Sequence, residues 1–342
     1  MRKESLDFLE RLLTAPSPSG HESPGQRVWC DYVRQFADEV RTDAYGNAVA
    51  VLNGGGDPKI MIDGHADEIG LMVKHVDDKG FIYFQRIGGV DPALVRGKRV
   101  NIHTANGVVR GVIGAPAIHL RERGKEPKVP KVHECYIDIG AKDGKEAQRR
   151  VAVGDPITFG DDFELLNRNV AVARGFDNRA GTWVAAEALR LAASGAPRCA
   201  VFACSSVQEE VGLSGAKMNV FNVKPDAALV VDVTHATDIP GIDAKQHGEV
   251  KLGAGPTISI GRENHPVLVD RLRKVAKRKR IPVQFEPFST TGGTDAWAIY
   301  VGNGGVPSVV VSVPNRYMHT TVEMVDLRDI QRTAELLAAF IA

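Results

Sequence analysis

Two adjacent glutamates, Glu209 and Glu210, close the apolar run "CAVFACSSVQ". Like charges side by side repel, and taking them out of water is costly. A pair placed there implies a countercharge. The same pattern recurs along the chain. "KIMIDG" runs into His65, with Asp67 two residues on, and "VAVARGF" runs into Asp177. "AALVVDV" holds Asp232 near its end, and "SVVVSVPNRYM" runs into His319. Taken singly, each has an ordinary reading: a loop histidine, or an aspartate capping a helix. Taken together, they put two imidazoles and several carboxylates at the carboxyl ends of five apolar runs. Imidazole and carboxylate suit a divalent transition metal, and an oxygen-rich set suits two cations sharing a bridging carboxylate. Zinc is the first choice because both ligand types bind it at about 2 Å. Cobalt or manganese also fit, whereas histidine ligands argue against calcium and weaken the case for magnesium.

These residues need strands that end on one edge. The C-terminal part alternates strand-like runs ("CAVFACS", "AALVVDV", "SVVVSVP") with helix-like ones, beginning with "NRAGTWVAAEALRLAAS". Alternation of that kind implies an α/β domain with a mostly parallel sheet flanked by helices. Ligands bind such sheets at the carboxyl ends of the strands. The start of the chain reads as a helix over about 4–14, a loop "APSPSGHES", and a second helix to about Ala37. From about Gly70 the texture changes to short alternating runs ("FIYFQRI", "RVNIHT", "VVRGVIG") parted by the turn signals "DDKG" and "TANG". Residues 70–166 are therefore expected to form an inserted, small β-barrel-like domain, with 1–69 and 167–342 forming a discontinuous catalytic domain. In regular strand geometry Glu209 and Glu210 would point to opposite faces. Both can serve one site only if the strand ends near Gln208 and the backbone turns, as Gly212, Ser214 and Gly215 permit.

Composition narrows the function. The 342 residues carry a net charge of +1 and 6% aromatics, so neither a nucleic-acid nor a membrane partner is expected. The basic run "RLRKVAKRKR" lies on an expected helix and reads as a solvated face. Cys30, Cys135, Cys199 and Cys204 form no CxxC pair and read as reduced thiols. With an N-terminus that reads as an amphipathic helix rather than a signal peptide, a cytoplasmic protein is expected. Paired carboxylates also raise a glycoside hydrolase as an alternative, but that chemistry has no use for metal-spaced histidines. An amidase or deacylase using the same centre stays open.

"HADEIG", "FDNRAG", "QEEVGLSGA", "VDVTHATDIPG", "GGTDA" and "RYMHTTVE" occur in this order along the chain, with "PSPSGHE" near the start and "YIDIGAKDGKEA" in the insertion. Together they resemble the TET-type metallo-aminopeptidases, the glutamyl and deblocking aminopeptidases of metallopeptidase family 42, some of them once labelled endoglucanases. "APAIHL" departs from the double proline often found there. The resemblance implies a zinc-exopeptidase core of the phosphorylase/hydrolase-like type. It implies that His65 and Asp232 hold one cation, that Glu210 and His319 hold the other, and that Asp177 bridges them. Asp67 would orient His65, and Glu209 would be the general base. It further implies a cis peptide at Asp177–Asn178 and a "TTGGTDA" loop beside the substrate, making Thr294 and Asp295, with His235, candidates for substrate contact. Substrates would be peptides with a free N-terminus. The insertion would mediate dimerisation, and dimers would assemble into a tetrahedral dodecamer.

Overall fold

The computed structural model describes residues 1–120, 128–160, 163–290 and 293–342. In chain order the strands begin with β1 (Glu39–Thr42), β2 (Ala48–Leu52) and β3 (Lys59–His65). Six more follow: β4 (Gly70–Val76), β5 (Ile82–Ile87), β6 (Arg99–Thr104), β7 (Gly107–Ile113), β8 (Ile137–Asp138) and β9 (Pro156–Phe159). The rest are β10 (Glu164–Leu165), β11 (Val170–Ala173), β12 (Ala200–Ser206), β13 (Ala227–His235), β14 (Thr257–Ile260), β15 (Gln284–Pro287), β16 (Ser308–Arg316) and β17 (Glu323–Asp326). The helices are α1 (Lys3–Thr14), α2 (Ser23–Val33), α3 (Gly144–Arg150), α4 (Phe176–Ala193), α5 (Ser214–Val223), α6 (Ala244–His247), α7 (Pro266–Lys279), α8 (Ala296–Tyr300) and α9 (Leu327–Ile341). Contacts divide the chain into two units, one of Met1–Glu68, Phe163–Met318 and Val322–Ala342, the other of Ile69–Asp162 with His319–Thr321.

The larger unit is built on one sheet in the order β1-β2-β12-β3-β13-β16-β17-β11-β10, with β14 and β15 attached to β16. Its middle strands, β12, β3, β13 and β16, pair in parallel, and antiparallel strands flank them. The two sheet faces carry separate cores, as the two-residue alternation of a strand requires. Ile60, Ile62, Val201 and Ala203 pack with α1, α2, α4, α7 and α9 on one face. Met61, Phe202 and Cys204 pack with α5 and α8 on the other. The α/β class with helices on both faces of a parallel core therefore holds.

Helix α4 is buried on nearly every side, which fits its Ala-rich composition. Its partners satisfy the buried indoles: Trp183 donates to the Ser5 carbonyl and Trp29 to the Thr182 carbonyl. A Cβ on Gly64 would lie 2.6 Å from the Gly181 carbonyl carbon. The missing side chain lets the end of β3 approach the start of α4. Helix α2 stops at Val33 rather than Ala37, because Phe36 and Ala37 both turn their N–H groups back to the Val33 carbonyl and tighten the last turn. In the smaller unit, β4-β5-β8-β7-β6-β9 close into a barrel filled by residues such as Leu71, Phe84, Ile102, Ile137 and Ile157. Among the described residues, no helix is long and apolar enough to cross a membrane.

Directly after the His65 loop, buried Glu68 binds both Arg174 and Arg179, which flank Asp177 in sequence. Burial works against ionisation of this carboxyl, but the two guanidinium groups outweigh it and hold its pKa at about 2. A depressed carboxyl pKa stabilises the fold above its unfolded value and loses that contribution as pH falls toward the folded value. Glu68→Gln should cost about 3 kcal/mol at neutral pH, as expected for breaking a buried ion pair. Thermal unfolding should show that deficit shrinking as pH falls from about 4.5 to about 2.

Candidate metal centre

Strand β12 ends at Ser206, and Gln208 adopts a left-handed φ of 58°. The backbone thus leaves the strand where the two glutamates need it to. Gly215, just inside α5, packs against Val207 so closely that a Cβ would sit 2.3 Å from the Val207 nitrogen. The turn is held by buried side chains. Asp67 Oδ1 accepts the Glu209 N–H at 3.0 Å, and Asp67 Oδ2 accepts the Glu210 N–H at 3.1 Å. The Ser19 hydroxyl donates to Asp67 Oδ2 at 2.6 Å. Asp67 Oδ1 also lies 3.3 Å from His65 Nδ1. One carboxylate therefore orients the imidazole and both glutamates. Burial opposes its ionisation, yet His65, Ser19 and the Glu209 amide keep its pKa below the usual carboxylate value.

The other nitrogen, His65 Nε2, faces three carboxylates: Asp177 Oδ1 at 3.2 Å, Glu209 Oε2 at 3.7 Å and Asp232 Oδ1 at 3.9 Å. His65, Glu209 and Asp232 each offer a ligand atom, all within 4.8 Å of one another. Asp177, Glu210 and His319 do the same. Asp177 thus belongs to one group and touches the histidine of the other. Burial pushes the Glu209 and Asp232 carboxyls up, and repulsion from neighbouring carboxylates, Asp177 and Glu210 among them, adds to the rise against the pull of His65. Burial alone would lower the His65 pKa, but Glu209, Asp177 and Asp67 raise it well above its ordinary value. The donor set, two imidazoles among clustered buried carboxylates, fits divalent cations.

Asp177 follows β11, which pairs antiparallel with β17, itself antiparallel to β16. Two reversals make β11 run in the same direction as β16, so Asp177 still leaves the sheet at the same edge. The Asp177–Asn178 peptide is cis. Glu323 Oε2 accepts the Asp177 N–H at 2.9 Å. Asn178 Nδ2 donates to the Val231 carbonyl at 2.8 Å, beside Asp232. Glu323 closes the motif "RYMHTTVE", and Asn178 lies in "FDNRAG", but their bonds join residues far apart in sequence and carry no local signal. The substrate-side candidates differ in exposure. His235 is exposed at the end of β13, and Thr294 accepts the Ala296 N–H at 3.3 Å before α8. Asp295 is 1% exposed and faces Asp63, and burial raises its pKa far up, which places it among interior groups rather than on a solvent-facing wall. Thr291 and Gly292 of the "TTGGTDA" loop lie outside the described residues.

Residues 46–336 match the family model described as M42 glutamyl aminopeptidase. The lysyl aminopeptidase of Pyrococcus furiosus is 33% identical over 339 residues, covering 98% of this chain and 96% of its own. The TET aminopeptidase structure from a marine-sediment Thaumarchaeota archaeon superposes with a TM-score of 0.93 at 34% identity, covering 99% of this chain and 96% of that one. The TET1 peptidase of Pyrococcus horikoshii, described as assembling into a tetrahedron or a large octahedral shell, has a TM-score of 0.88 at 31% identity, covering 98% and 99%. The chain belongs to the M42 glutamyl aminopeptidase family.

Asp67→Asn keeps the size of the side chain but turns one acceptor into a donor facing an amide N–H. Steady-state kinetics should show activity falling about 10- to 100-fold, the usual scale for a group that orients metal ligands.

Proposed function

We propose that this aminopeptidase removes N-terminal residues from peptides with two divalent cations per subunit and Glu209 as the proton-transfer group. The observation that carries the reading is the meeting of His65 Nε2 with Asp177, Glu209 and Asp232 within 3.9 Å, beside the group of Asp177, Glu210 and His319. When bound, the cations supply Lewis acidity toward the scissile carbonyl, a lowered pKa for water and a dock for a free α-amine. His65 and Asp232 hold one position, Glu210 and His319 hold the other, and Asp177 serves both. Asp67 keeps the His65 ring and the Glu209–Glu210 backbone in register. Glu209 takes a proton from the attacking water and delivers it to the leaving amine. Capture of the free amine explains exopeptidase action, since an internal peptide bond has none to offer. His235 and Thr294 are the substrate-side candidates, with Asp295 acting from behind the surface.

The barrel unit is proposed as the dimerisation element of a tetrahedral dodecamer. Native mass spectrometry should give a dodecamer, and a stable monomer would contradict it. For activity, Leu-, Glu- and Lys-p-nitroanilide are assayed with zinc, cobalt or manganese. Metal-dependent release is expected from at least one, and none from its N-acetylated form. Glu209→Gln should keep both cations by elemental analysis while losing about 10²- to 10⁴-fold in kcat. Glu210→Gln should lose one cation. Release from none of the free-amine substrates, with any metal, would sink the proposal; an empty Glu209→Gln beside a fully loaded Glu210→Gln would reverse the two roles.

A further inference from the structure

The backbone from Ser205 to Glu210 is gripped by side chains from three separate segments of the early chain, around α2, before β2 and after β3. Gln26 Nε2 donates to the Ser205 carbonyl at 2.8 Å, and Asn47 Oδ1 accepts the Val207 N–H at 3.0 Å. Glu22 Oε1 accepts the Gln208 N–H at 3.1 Å and the Gly20 N–H at 2.7 Å. Asp67 takes the next two N–H groups. Each peptide unit is planar, so a bond to its N–H restrains the tilt of the whole unit, and only φ and ψ link one plane to the next. With the units ending at Gln208, Glu209 and Glu210 all restrained, the dihedrals of Gln208 and Glu209 have little freedom left. The direction of the Glu209 side chain is then set. The fixation has something to resist, because a left-handed non-glycine residue costs about 1 kcal/mol or more.

We infer that Glu22 is a positioning residue for Glu209, acting through the Gln208 amide. The residue is 3% exposed, so water has little access to the bond. Its partners are the amides of Gly20 and Gln208, so it reaches Glu209 without touching the residues proposed to hold cations. That separates it from Asp67, whose loss would disturb His65 as well. Burial raises the Glu22 pKa to about 7, and the bond pattern survives protonation because both amides use the same oxygen. The role extends the proposed mechanism and rests on Glu209 being its proton-transfer group.

The test compares Glu22→Ala, Glu22→Gln and Glu22→Asp in the metal-loaded full-length protein. Glutamine keeps one carbonyl oxygen able to accept both amides, whereas aspartate is a methylene short. Ala and Asp variants should lose about 10- to 100-fold in kcat, the scale of an ångström of misplacement, with KM within about twofold and both cations retained. The Gln variant should stay within about threefold of wild type. In a Glu209→Gln background Glu22→Ala should add no further loss. Amide hydrogen exchange at Gln208 and Glu209 should quicken about tenfold in the Ala and Asp variants and stay at the wild-type rate in the Gln variant. If Glu22→Ala does not fold, the Asp and Gln variants decide alone. Equal losses in Gln and Asp, an additive loss in the Glu209→Gln background, or unchanged exchange in the Ala or Asp variant would overturn the inference. If the wild type cleaves no aminoacyl substrate, the aminopeptidase mechanism falls, and exchange still decides whether Glu22 holds the turn.

Discussion

The Asp67 carboxylate is the point on which the site's geometry depends. It receives Ser19 from the first loop, faces His65 Nδ1 from its own segment, and takes the N–H groups of Glu209 and Glu210 from the far end of β12. A buried carboxylate is costly unless donors surround it. Here the donors are the parts of the chain that have to be held in fixed relation. The requirement to satisfy one buried charge thus becomes a geometric constraint on three segments distant in sequence.

Around that point the chain concentrates negative charge where water is scarce. The upward pressure on the Glu209 and Asp232 carboxyls comes first from burial and then from the neighbouring carboxylates, and His65 relieves only part of it. The proposed divalent cations would relieve the rest, and would give a reason for two glutamates to stand together at the end of an apolar strand. The scaffold contributes stiffness. Gly64 against Gly181 brings β3 and α4 to close approach next to His65 and Asp177, and Glu68 with two arginines locks the same two segments just beyond.

The residues gathered in the two groups were legible in the sequence because a histidine or carboxylate at the end of an apolar run breaks a simple pattern. The turn after β12 was legible too, since two adjacent side chains cannot share a face in a strand. Asp177 was read from a run assumed to sit in the parallel core, but β11 reaches the same edge through two antiparallel neighbours. What the sequence concealed is the layer that holds these side chains in place. Glu22, Gln26, Asn47, Asn178 and Glu323 each reach a backbone atom far away in sequence, and such bonds leave no periodicity or spacing. The interior position of Asp295, facing Asp63, was hidden for the same reason.

The most direct test of a two-cation centre is a crystal structure of the zinc-loaded protein with anomalous difference maps at the zinc edge. The account predicts two peaks, one against His65 and Asp232 and one against Glu210 and His319. Asp177 should contact both, and Glu209 should be turned toward the space between them without ligating either. A single peak, or Glu209 as a ligand with Glu210 turned away, would contradict it.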